Sequence, residues 1–106
     1  MVTYGVHPGW EALGDPSRLV IVQRLAERPC AVGELADELP ISRPAVSQHL
    51  KVLKSAGLVV DHPMGTRRVY RLSPDGLAAL RDQLDTFWRR ALDGYQDIVE
   101  ETEERP

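Results

Sequence analysis

Ser42-Arg43-Pro44-Ala45-Val46-Ser47-Gln48-His49-Leu50-Lys51-Val52-Leu53-Lys54 is the stretch on which the reading of this chain turns. Val46, Leu50 and Leu53 recur at i, i+4, i+7, one apolar stripe of a helix, with Ala45 and Ala56 flanking it. Ser42 is placed to cap the helix N-terminus, and Gly57 follows as the residue that ends it. Arg43, Ser47, Gln48, Lys51 and Lys54 lie off the stripe, and all can donate hydrogen bonds. The major groove of a duplex admits one α-helix, whose outward side chains meet base edges and flanking phosphates. Glutamine pairs bidentately with adenine, arginine with guanine, and serine with a base or a phosphate. Lys51 and Lys54 suit backbone contacts, which fix register without reading sequence. The candidate duplex-contacting set on this helix is therefore Ser42, Arg43, Ala45, Ser47, Gln48, Lys51 and Lys54.

Working upstream, Val32 to Leu39 reads as a short helix with Leu35, Ala36 and Leu39 on one face. Pro40 and Ile41 join it tightly to the Ser42 helix, the local pattern of a helix-turn-helix. Before that, Asp15 caps a helix with Pro16 at its first position, Leu19, Val20, Val22, Leu25 and Ala26 follow at helical spacing to about Arg28, and Pro29 stops it. His7 to Leu13 is a brief amphipathic piece carrying Trp10 and Leu13, ended by Gly14.

Downstream, Leu58-Val59-Val60 reads as a strand and His62 to Thr66 as a turn. Arg67 to Leu72 alternates as a second strand would. A basic hairpin beside a recognition helix is a wing, and Arg67 and Arg68 join the duplex-contacting set. Successive strand residues point to opposite sides, so one arginine can face a duplex while the other pairs with an acid such as Asp61. Ser73 and Pro74 then open a last helix that runs to about Glu101, leaving 102–106 as a frayed acidic tail on a single domain of residues 1–101. Leu77, Leu80, Leu84, Phe87, Ala91, Tyr95 and Ile98 form a heptad-like stripe along it, and Trp88, Leu92 and Val99 widen the stripe. So long a helix with so broad an apolar face calls for a partner. The candidate dimer interface is this stripe with Trp88, joined by Trp10 and Leu13.

The fold class that results is mainly α with a two-stranded β wing: a winged helix-turn-helix of four helices, two strands and a fifth helix. The net charge of −3 hides an uneven distribution. From Ile41 to Arg71 six basic residues face the single acid Asp61, whereas from Asp93 onward six acids face only Arg105. Phosphate attraction depends on the field near the contact surface, which decays over a Debye length of ~10 Å, so the basic middle is what counts. The lone cysteine, Cys30, rules out an intrachain disulfide framework and suits a reducing compartment. No apolar run approaches the ~20 residues of a membrane span, and no secretory leader is visible, so a cytoplasmic location is expected. There is no nucleophile elbow, glycine-rich phosphate loop or paired-carboxylate motif, so an enzyme is not expected, nor a cofactor.

From Ala12 to about Tyr95 the chain resembles the ArsR-type family of winged helix-turn-helix repressors. The likeness rests on Ala12-Leu13-Gly14-Asp15-Pro16-Ser17-Arg18, Val32-Gly33-Glu34-Leu35-Ala36, the Ser42–Leu53 helix, Ala56-Gly57-Leu58-Val59 and Gly65-Thr66 through Leu72. It implies a homodimer paired through the first and last helices, a partly palindromic operator in double-stranded DNA, and repression released by a signal. The family's metal-binding Cys-Val-Cys falls here at Ala31-Val32-Gly33, without sulfur, and the last helix has no histidine for the family's other metal site, so no metal is expected. Two further readings accompany the first. One is a winged helix that binds protein. The other is a regulator sensing redox state at Cys30, or an effector of unidentified chemistry between the first and last helices.

Overall fold

The computed structural model describes residues 8–104, so His7 lies outside it. The chain runs α1 (Pro8–Ala12), α2 (Pro16–Glu27), β1 (Cys30–Ala31), α3 (Val32–Glu38), α4 (Arg43–Ser55), β2 (Val59–Met64), β3 (Arg67–Leu72) and α5 (Pro74–Glu104). The helix starts follow the capping chemistry. The Asp15 carboxylate accepts from the backbone N–H of Ser17 at 2.8 Å and of Arg18 at 3.2 Å, with Pro16 opening α2. The Ser42 hydroxyl accepts from Ala45 N–H at 3.3 Å, and the Ser73 hydroxyl from Gly76 N–H at 3.1 Å.

Ala12, Ile21, Leu25, Cys30, Leu35, Val46, Leu50, Leu53, Leu58 and Val59 form one buried cluster. The α4 stripe lies at its centre, with Val46, Leu50 and Leu53 fully excluded from solvent. In α2 the buried stripe is Ile21 and Leu25, whereas Leu19, Val20 and Ala26 are exposed. Leu19 to Val22 is apolar on every side, so local spacing does not select a face. Packing against α4 and β3 does, and it selects the i, i+4 pair Ile21 and Leu25.

The sheet has three strands in the order β1-β3-β2, all antiparallel, which corrects the two-stranded wing read from the sequence. Cys30 pairs with Tyr70 and Ala31 with Val69, which ties the wing's root to the start of α3. A two-residue strand has no periodicity of its own and exists only through this distant partner. β2 also continues through His62, Pro63 and Met64, which read as turn chemistry in the sequence. It lies at an edge of the sheet, where a proline without an N–H is tolerated. The turn contracts to Gly65-Thr66, with Gly65 at φ 66°, the positive value that a two-residue hairpin loop requires at this position.

α5 leaves the body at a close junction. Ser73 N–H donates to Leu58 O at 2.8 Å, and Gly57, at φ 79°, turns its carbonyl toward Gly76 in the first turn of α5. The helix then runs to Glu104, past the end near Glu101 read from the sequence. Leu77 and Leu80 pack against the core cluster, while Phe87, Trp88, Leu92, Tyr95 and Ile98 are each more than half exposed.

Candidate nucleic-acid interface

Because Val46, Leu50 and Leu53 turn inward, the opposite side of α4 faces solvent. Ser42, Arg43, Ser47, Gln48, Lys51 and Lys54 are all exposed there, while Ala45 and His49 are half-buried at the edges. No described acid forms an ion pair with Arg43 or Lys51. The Arg43 guanidinium lies over Gly33 in α3, close enough that a side chain at position 33 would displace it. The gap at Gly33 thus lets the first side chain of α4 lie across the helix-turn-helix.

The wing arginines diverge, as strand alternation requires. Arg67 turns to α3 and pairs with Glu34, whose carboxylate also accepts from Ala31 N–H at 3.0 Å and pairs with Arg28 at 3.3 Å. Arg68 turns the other way and donates to Asp61 Oδ2 at 2.8 Å. Lys54 Nζ, from the end of α4, lies 2.7 Å from Asp61 Oδ1. Three of the nine candidate contact residues are therefore already held by acids of the same chain. Asp61 was visible in the sequence as a partner for one arginine. Its second cation, and the Glu34–Arg67 pair, depend on how the wing packs, and no local pattern announces them.

These hydrogen bonds favour the ionised form of the carboxylates. Asp15 is held below the usual carboxylate range chiefly by the Arg18 backbone N–H, Glu34 by the Ala31 N–H, and Asp61 by the hydrogen bonds from Lys54 and Arg68. A group whose folded pKa is depressed adds stability above its unfolded value, about 4, and loses it as pH falls through the folded value. The melting temperature is therefore expected to stay level from neutral pH to about 5 and to fall below about 4. A melting temperature still level at pH 3 would contradict these assignments.

Cys30 is fully buried, its thiol donates to Arg28 O at 3.5 Å, and burial pushes its pKa up. A protonated, inaccessible thiol packs as a small apolar residue and does not suit a redox switch. Ala31 is buried in β1 and Gly33 lies in α3, so neither position of the resembled metal motif brings a ligand. Among the described residues no three His, Cys, Asp or Glu side chains are grouped to hold a metal ion, and no helix is long and apolar enough to cross a membrane.

The candidate dimer residues gather at α1 and along α5. Trp10, Leu13, Gly14, Leu77, Leu80, Arg81 and Leu84 line an apolar groove of about 470 Å³, and Trp10 Nε1 donates to Gln83 Oε1 at 2.7 Å. Beyond the groove the stripe continues through Phe87 and Trp88, whose rings meet edge to face at 6.1 Å, then Ala91, Tyr95 and Ile98, all exposed.

Comparison with known proteins places this architecture. Residues 15–60 match the family described as bacterial regulatory protein, arsR family. The chain is 66% identical over 91 residues to the HTH-type transcriptional regulator Rv2034 of Mycobacterium tuberculosis, covering 86% of this chain and 85% of that one. It is 36% identical over 91 residues to the arsenical resistance operon repressor of Escherichia coli, covering 85% and 78%. Among solved structures, a possible transcriptional regulator for arsenical resistance superposes with a TM-score of 0.68 at 44% identity, over 78% of this chain and 92% of that one. An ArsR-like transcriptional regulator from Rhodococcus sp. RHA1 gives 0.72 at 28% identity, over 88% and 91%. The chain belongs to the ArsR family of bacterial regulatory proteins, DNA-binding transcriptional regulators rather than enzymes.

Proposed function

We propose that this chain represses transcription as a homodimer on a partly palindromic operator. Each protomer lays α4 in a major groove, the wing reaches the adjoining backbone, and promoter occlusion follows from occupancy. The reading is carried by one observation: the solvent side of α4 is a row of hydrogen-bond donors, with Arg43, Ser47, Gln48 and Lys51 free of acidic partners among the described residues. The exposed apolar length of α5 and its groove with α1 support pairing of two copies there. Two-fold symmetry then sets half-sites about one helical turn, or a multiple of it, apart (~10 bp per turn).

Selection of duplexes from a random pool, followed by a gel shift with competitor DNA, tests the proposal. The selected sequence is expected to be a spaced, near-symmetric pair of half-sites. Gln48→Ala is expected to weaken binding to the selected duplex by ~1–3 kcal/mol and to relax the preference at the base it reads. Equal losses on selected and random duplexes would refute a base contact by Gln48. Failure of the native chain to prefer any sequence would refute the proposal itself.

A further inference from the structure

Asp61 divides its two oxygens between the two DNA-facing elements. Oδ1 takes Lys54 from the last turn of α4, and Oδ2 takes Arg68 from the wing. Its side chain is only 6% exposed, whereas those of Lys54 and Arg68 are each 56% exposed. The carboxylate thus lies beneath the two cations, which form the outer layer of the bridge. Asp61 stands opposite Tyr70 in the β2–β3 ladder, and Arg68 opposite Pro63. Arg68 therefore reaches Asp61 along one face of the hairpin, while Lys54 comes from outside the sheet.

Two consequences follow from charge and geometry. A trio of two cations and one anion offers a duplex about one net positive charge, not two, so the sequence-independent attraction is reduced. The bridge also fixes the angle between wing and α4, so the cations are presented in one arrangement rather than a mobile ensemble. Less general attraction with tighter register raises the preference for a matching site over random sequence. We propose that Asp61 is a positioning residue for operator selectivity, acting on DNA only through Lys54 and Arg68. This inference rests on the reading of α4 and the wing as the DNA-binding surface.

The experiment compares native chain and Asp61→Asn on the pool-selected duplex and on a random-sequence duplex of equal length, across a salt series. Freeing about one cation is expected to steepen the salt slope on the random duplex by about 0.9 and to tighten that binding roughly five- to tenfold at 0.1 M salt. Binding to the selected duplex gains less, because the fixed angle is lost, so the ratio of the two affinities falls at least about threefold. In a background of Lys54→Gln with Arg68→Gln, Asp61→Asn has no cation left to free, so its extra slope is expected to disappear. Where Asp61→Asn melts far below the native chain, Arg68→Gln opens the same bridge from the wing. Were Arg68 merely a phosphate ligand, that variant would weaken both duplexes equally, whereas opening the bridge lowers their ratio. An unchanged ratio in these variants overturns the proposal, whether or not the slope moves. A native chain that binds neither duplex overturns instead the DNA-binding reading on which it stands.

Discussion

Gly76→Ala is expected to destabilise the chain by about 3 kcal/mol or more, the upper range for overpacking. A Cβ at position 76 would overlap the carbonyl oxygen of Gly57 and lie 2.8 Å from its carbonyl carbon. Neither atom belongs to a flexible side chain. Gly57 sits at φ 79° just past Ala56, the residue that caps α4, and Ser73 N–H is bonded to Leu58 O beside it, so the two backbones are fixed on both sides of the contact. Relief requires α5 to lift from the end of α4, which strips Leu77 and Leu80 from the core. For a chain of about 100 residues, 3 kcal/mol corresponds to a fall of roughly 12–24 °C in melting temperature. Gly94→Ala is the control, because a Cβ there meets nothing within 4 Å. In mid-helix that change is expected to stabilise by roughly 0.5–1 kcal/mol. Thermal melts of both variants at equal protein concentration check the pair. A Gly76→Ala melt within a few degrees of the native chain would show that the junction is looser than described.

Phe87→Glu is expected to separate the proposed dimer and with it the operator complex. Phe87 is 60% exposed within its own chain and touches Trp88 edge to face, so its loss leaves the buried cluster of the protomer intact. A carboxylate placed in the middle of the α5 stripe must be desolvated when a second copy covers it. Replacing a central aromatic anchor typically costs about 2–4 kcal/mol of association, roughly thirty- to a thousandfold in the dimer constant. Sedimentation is expected to show monomer at concentrations where the native chain is dimeric. The gel shift on a two-half-site duplex is expected to weaken by a comparable factor. Retention of the native mass and of tight binding would move the interface away from this stretch of α5.

The features legible in the sequence were those that a short window contains. Ser42, Asp15 and Ser73 announce their caps within three residues, and Val46, Leu50 and Leu53 announce the inner face of α4 by spacing alone. The outward row from Arg43 to Lys54 followed by subtraction. What the window missed was set by partners far along the chain. β1 is two residues long and is defined by Val69 and Tyr70, some forty positions later. In α2, Ile21 rather than Leu19 or Val20 is buried, because β3 and α4 choose the face of an all-apolar run. The engagement of Arg67 by Glu34 across 33 positions is of the same kind, and it changes how freely that arginine can reach a phosphate.

The position of Pro63 has an effect on how copies of the chain can meet. An outer strand carries unsatisfied N–H and C=O groups that invite a further strand to add. β2 is such a strand, and Pro63 removes one donor near its tip, so an incoming chain finds a broken ladder. On the other border, β1 ends after two residues, where the chain turns into α3. Both borders of this small sheet are therefore poor templates for the addition of a further strand.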